Sequence, residues 1–192
     1  MTAIDASALG MELAPISRRR YDKMIDAGIL TKDDKIELIN GQLIKKMPIG
    51  IKHSGMVNAL SNLLWQKLGG QAIISVQNPV ALHEYSEPEP DIAVLRPPVS
   101  VYQERHPEPA DIFFLIEVAD TSLLFDREAK IPLYATCDIP ECWLVDVNAR
   151  SITVFRQPSG TTYQSRTEHK SGDTITLSMF PEVEITLAEL GW

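Results

Sequence analysis

The chain has 192 residues, enough for one domain with a sizeable core, and its 44% apolar and 23% charged residues are those of an ordinary globular protein. A formal charge of −8 argues against a broad, non-specific phosphate-binding surface, although it is compatible with a local basic strip or a dimer that pools two. There is no apolar run of roughly 18 or more residues to span a membrane. The early arginines follow a mildly apolar stretch, the wrong order for a secretory leader. Cys137 and Cys142 are too few and wrongly spaced for a zinc knuckle or a redox pair, so the expectation is a cytoplasmic protein with reduced thiols.

In chain order, residues 1–15 read as an arm without periodicity. SRRRYDKMIDAGIL predicts a short helix capped by Ser17, with Tyr21, Met24 and Ile25 at helical intervals and Gly28 as its stop. KIELINGQLIKKM predicts a β-hairpin turning at Asn40-Gly41. HSGMVNALSNLLWQKLGG predicts an amphipathic helix whose apolar side is Met56, Leu60, Leu63, Leu64 and Trp65, stopped by Gly69-Gly70. QAIISVQNPVAL and PDIAVLRP read as strands on either side of an acidic, prolyl turn. RPPVSVYQERHPEPAD, with four of the 13 prolines, reads as an exposed and mobile loop. DIFFLIEVAD is a continuous apolar run, the mark of a central strand covered on both faces. FDREAKIPLYATC then predicts a helix, WLVDVNARSITVF a hairpin around Asn148-Ala149, and the tail short strands with a turn at Gly172-Asp173. The pattern is that of one mixed α/β sheet.

Three acids stand beside apolar strand residues: Glu37 in KIELING, Asp91 in PDIAVL and Glu117 in FFLIEVAD. Glu117, inside the best-buried strand, has to be paired, metal-bound or protonated, because burying a lone carboxylate is costly and raises its pKa. The structural alternative is a salt bridge to Lys130 or Arg127. Three strand-borne carboxylates and a lysine suit a divalent-metal site for phosphodiester hydrolysis, since hard oxygen ligands take Mg²⁺ or Mn²⁺ and the lysine stabilises charge developing on the phosphate. His53, at the start of its helix, is a candidate phosphate or metal contact, with a plain capping residue as the alternative. Arg18-Arg19-Arg20 either faces a phosphate backbone or forms a solvated helical face. His83-Glu84 lacks the second histidine of HExxH, Ser122 lacks a GxSxG elbow, and no glycine-rich nucleotide loop occurs. Trp143 reads as core.

ELINGQL, His53, EPDIAVL, FFLIEVADTS, the spaced Asp126–Lys130–Tyr134 set and IPECWLVDV together resemble the Uma2 family, a bacterial group described as endonucleases. The resemblance covers roughly residues 16–190. It implies a restriction-endonuclease-like, PD-(D/E)XK fold: a mixed sheet flanked by helices with additional β-hairpins, formed by residues 16–192 after the arm. It further implies a Mg²⁺-dependent (or Mn²⁺-dependent) endonuclease with Asp91 and Glu117 as metal ligands. Glu37 becomes an additional ligand or water-orienting base, Lys130 the charge stabiliser and His53 a possible substrate contact. DNA is the expected substrate by analogy of fold.

One departure is plain. Glu117-Val118-Ala119 has alanine where the family pattern places lysine, which moves that role onto Lys130 of the following helix. Pro132 there implies a kink or a helix start near Ile131. As a helix-borne lysine, Lys130 is expected to be removable with little change in stability. The competing readings are a nuclease-fold protein that serves as a binding or assembly module, and a phosphohydrolase of small nucleotides. A homodimer is expected, with Ile152, Val154 and Phe155 of the late strands as an exposed apolar contact.

Overall fold

In a computed structural model, residues 13–192 are described, so residues 1–12 of the expected arm lie outside the described residues. The chain divides into two compact units. One runs to Lys46 and takes in His83–Glu87; the other comprises Met47–Leu82 and Pro88–Trp192.

The first unit holds helix α1 (Arg18–Asp26), a 3₁₀ turn (Lys32–Asp34) and the antiparallel pair β1 (Ile36–Ile39) and β2 (Gln42–Lys45). The pair closes at Asn40 (φ +48°) and Gly41 (φ +76°), with Ile39 opposite Gln42. Two successive positive φ values suit Asn-Gly and match the twist of the strands. A Cβ at Gly41 would also meet Pro15 at 2.5 Å, so no other residue fits there without movement. Tyr21 is buried and its hydroxyl donates to Ile36 O at 2.9 Å, tying α1 to β1, whereas Ile25 is exposed.

The second unit is built on a six-stranded sheet in the order β3-β4-β5-β6-β7-β8, comprising Ile73–Val76, Ile92–Leu95, Ile112–Ala119, Glu141–Asp146, Ser151–Ser159 and Thr162–His169. Only β5 and β6 run parallel; the connection between them is helical, as a parallel pair requires. The segment predicted as a long strand from Gln71 forms β3 only as far as Val76. Beyond it Val80 and Ala81 are buried but bond the prolyl segments, through Pro88 O and Pro107 O. The proline-rich loop is exposed for most of its length and is organised by two 3₁₀ turns and a paired Arg105–Asp111. All eight residues of β5 are buried.

Helix α2 (Ile51–Leu68) begins two residues before His53 and ends at Gly69, whose φ of +51° is the left-handed cap. Met56, Val57, Leu60, Leu63, Leu64 and Leu68 are buried against β4, β5, β6 and β7, each worth roughly 2 kcal/mol of burial. Trp65 corrects the sequence reading: it is 70% exposed. It lies two and a half turns beyond Met56, which turns it away from the sheet. The antiparallel β9 (Thr174–Leu177) and β10 (Phe180–Thr186), with a terminal 3₁₀ turn, complete the same core.

Ile152, Val154 and Phe155 also correct the sequence reading, since all three are buried. Strand β7 is interior, paired on both edges by β6 and β8, so these residues offer no exposed dimer contact.

Between β5 and β6 the predicted helix is one helical run of three parts: α3 (Leu123–Phe125), a π turn (Asp126–Lys130) and α4 (Ile131–Thr136). The Ile131 N–H bonds Asp126 O, five residues back, and Pro132, which has no N–H to give, follows at once. The wide turn is the form the anticipated kink takes.

Candidate functional site

The polar groups of the second unit gather where β4 begins and β5 ends. Ile92 pairs with Ile116 across the two strands, so Asp91, one position earlier, stands opposite Glu117. Opposite residues of an antiparallel pair share a face. Neighbouring Ile116 and Val118 pack with α2 in the core, so alternation turns Glu117 to the other side of the sheet.

Asp91 is held by three donors. The Val118 N–H reaches Oδ2 at 2.8 Å, Gln77 Nε2 reaches Oδ1 at 3.1 Å, and His53 Nε2 lies 3.0 Å from Oδ1. Burial opposes ionisation of Asp91, but the bond and charge of His53, the Val118 N–H and Gln77 outweigh it and hold the pKa below its usual value. His53 shifts the opposite way. Its hydrogen bond to Asp91 raises its pKa against the effect of burial, helped by the charges of Asp91, Asp126 and Asp120. The His53 Nδ1 is buried and has no hydrogen-bond partner among the described residues.

Glu117 accepts a hydrogen bond from the Tyr134 hydroxyl on Oε1, and Lys130 Nζ lies 3.3 Å from Oε2. Burial pushes its pKa well above the usual value; Lys130 offsets part of this, while Asp126 and Asp91 add to it. Lys130 and Asp126 are themselves buried, so they are not a solvated pair on a helix surface. Ser122 Oγ donates to Asp126 Oδ2 at 2.5 Å. Farther along, Asn148 links Lys52 to Asp120. A Cβ at Gly50 would come within 2.8 Å of Asp120 Oδ2, so the glycine that caps α2 leaves room for this acid.

Of the residues singled out in the sequence, Asp91, Glu117, Lys130 and His53 thus come together in one unit. Glu37 belongs to the first unit, buried on β1 opposite Ile44. Gln77 escaped the sequence reading. It sits at φ +50°, donates its own N–H to Asp91 O, and nothing in its local sequence marks it. Tyr134 was visible only as the third residue of a spaced set.

Among the described residues no three His, Cys, Asp or Glu side chains form a ready-made metal cage. Asp91 and Glu117 are the pair that could hold a divalent cation. Both are hard oxygen donors with lone pairs left after their hydrogen bonds, and Mg²⁺ characteristically takes one or two carboxylates, with water and substrate phosphate filling the rest.

A mixed sheet with helices on its sides, and paired acids at one end of adjoining central strands, defines a restriction-endonuclease-like architecture. The chain belongs to the Uma2 family, described as "Putative restriction endonuclease", whose model matches residues 19–188. A solved structure of "a putative nuclease belonging to DUF820" from Anabaena variabilis is similar in fold, with a TM-score of 0.67 at 16% identity. The match covers 92% of this chain and 97% of that one. No curated protein matches the chain. No helix among the described residues is long and apolar enough to cross a membrane.

Proposed function

We propose that the second unit carries a Mg²⁺- or Mn²⁺-dependent endonuclease site acting on DNA. The observation that carries this reading is Glu117: fully buried, raised in pKa, and opposite a second carboxylate, Asp91. Two carboxylates on opposed residues make sense when a cation balances them.

Asp91 and Glu117 would hold the metal, which when bound polarises a phosphate oxygen and supplies an activated water. The chain's own part is largely orientation. His53, Gln77 and the Val118 N–H fix the Asp91 carboxylate, and Tyr134 fixes that of Glu117. Lys130 supplies a positive charge for the phosphate from the helix that follows the strand. His53 is kept as a group within reach of substrate. Cutting both strands of a duplex favours two paired copies, so the acting form is read as a cytoplasmic homodimer. A monomer at micromolar concentration in sedimentation would count against the pairing.

A second reading, a binding or assembly module that keeps the fold, draws support from Lys130. Its charge is already satisfied by Glu117, as in a purely structural ion pair.

The test is incubation with supercoiled plasmid and with single-stranded DNA in Mg²⁺, Mn²⁺ or EDTA. Metal-dependent nicking that Asp91→Asn and Glu117→Gln both abolish is the expected result. A wild-type protein that binds metal but leaves both substrates whole favours the module.

A further inference from the structure

Helix α1 of the first unit concentrates positive charge in an acidic chain. Residues 17–23 contain four cations, Arg18, Arg19, Arg20 and Lys23, against one acid, Asp22, while the whole chain carries −8. The four cations line a single concavity of about 670 Å³, whose acidic residues are Asp22 and Glu84. Arg18 lies 3.5 Å from Glu87, yet its buried Nε makes no hydrogen bond among the described residues. Arg19, Arg20 and Lys23 are exposed and have no carboxylate partner among the described residues.

A solvated helical face is the plain explanation, and it fits poorly. The three arginines fill the first turn of α1, which contains no acid. Cations there oppose the helix dipole, so the arrangement works against the helix it belongs to. Acids in those places would serve solubility as well and stability better. The chain keeps instead an open guanidinium cluster in which Arg19 and Arg20 have no carboxylate partner among the described residues, and planar guanidinium forks match phosphate oxygens.

We propose that this concavity of the first unit binds the sugar–phosphate backbone of a nucleic acid. The identity of the partner rests on the nuclease reading; the surface itself does not. Arginines that meet phosphates position a strand without reading its bases, so the contact is indifferent to sequence. It also explains how a chain of net charge −8 engages a polyanion, through one local strip.

The experiment is fluorescence anisotropy of labelled duplex and single-stranded DNA with the full chain in EDTA, over a salt series. Arg19→Glu/Arg20→Glu should weaken binding at least about tenfold at low salt and reduce the salt slope by about 2, equally for unrelated sequences. Arg19→Lys/Arg20→Lys, which keeps the charge, should retain most of the binding. The reversed variant should melt at the same temperature as wild type or higher, because its new acids suit the helix start. A merely structural role would not lower binding while raising stability. If the reversed variant is poorly folded, Arg19→Ala/Arg20→Ala carries the same test with a smaller change.

Unchanged affinity and salt slope in the charge-reversed or alanine variants would overturn the proposal, as would a wild type that binds neither DNA at low salt. The two readings fail separately. Loss of binding in the arginine variants of a protein that cuts nothing with Mg²⁺ leaves the surface standing and removes the nuclease. Cleavage that depends on Glu117, with binding indifferent to Arg19 and Arg20, does the reverse.

Discussion

Two glutamates on neighbouring parallel strands of the second unit are buried almost equally, Glu117 on β5 and Glu141 on β6, at 2% and 1% exposure. Glu141 is saturated. Trp143 Nε1 donates to one oxygen at 2.6 Å, while Arg156 Nε at 2.8 Å, Ser178 Oγ at 2.5 Å and the Ser178 N–H at 3.2 Å serve the other. Its donors come from β6, β7 and the link between β9 and β10, so it fastens the late hairpin to the sheet. Glu117 has Tyr134 and Lys130, and two further acids, Asp91 and Asp126, act against its charge. The same side chain at the same depth therefore meets two different surroundings, one saturated with donors and one contested by like charge. Burial alone does not mark a candidate site acid; the balance of donors and repelling charges around it does.

The sharpest way to break this comparison is to remove Glu141. Glu141→Ala leaves the Trp143 indole N–H and Ser178 without their acceptor and removes the ion pair of a partly exposed Arg156 that keeps its bond to Thr176 O, and should cost about 2–4 kcal/mol in chemical denaturation. Binding of Mn²⁺ by whatever protein remains folded should be unaffected. A variant that loses metal binding while keeping its stability would erase the distinction between the two acids.

Lys130→Met comes next, and its burial reverses the sequence expectation of a lysine removable at little cost. Glu117 already has a folded pKa above its usual 4.5, and losing the ammonium raises it further. A raised carboxylate is neutral in both states below the unfolded pKa, and wild type and variant share the same penalty up to the wild type's own raised pKa, so the gap between them opens as pH climbs through that folded value. In EDTA the variant should be nearly as stable as wild type near pH 4 and fall behind it toward alkaline pH, by up to about 2 kcal/mol. A pH-independent loss would mean that Lys130 supports the fold by packing and not through Glu117.

The smallest effect belongs to His53. Its folded pKa is raised above 6.5, so the stabilisation it brings is complete below that value and fades as pH rises through the folded pKa. The Asp91 side is lost at the other limit, as pH falls below 3.8 through its lowered pKa. Metal-free His53→Gln should therefore be less stable than wild type by about 1 kcal/mol or less around pH 5–6, with the gap closing toward pH 9. Thermal melts across that range check it; a gap that widens with pH would contradict the His53–Asp91 pairing.

Much of this architecture was legible because it follows from local chemistry. Asn40-Gly41 demanded two left-handed residues, Gly69 a helix stop, and the unbroken apolar run of β5 a central strand. Asp91 and Glu117 stood out because charge beside apolar strand residues is expensive, and Lys130 through the resemblance to the family pattern and as a salt-bridge partner for Glu117. What escaped depends on placement in space. Trp65 looked apolar and faces water, because it completes no stripe with Met56 and Leu60. Ile152, Val154 and Phe155 looked free for a partner, yet β8 and the core cover their strand. Gln77 is an ordinary glutamine until a left-handed turn aims it at Asp91. The π turn at Asp126–Lys130 was foreshadowed by Pro132 without its form being readable.

The central claim is that Asp91 and Glu117 form one divalent-metal site, and calorimetric titration of Mn²⁺ into wild type, Asp91→Asn and Glu117→Gln at neutral pH tests it most directly. Binding of Mn²⁺ by the wild type that both substitutions weaken strongly, in proteins still folded by circular dichroism, is the predicted result. Equal binding by all three proteins, or a folded wild type that takes up no Mn²⁺ at all, would contradict it.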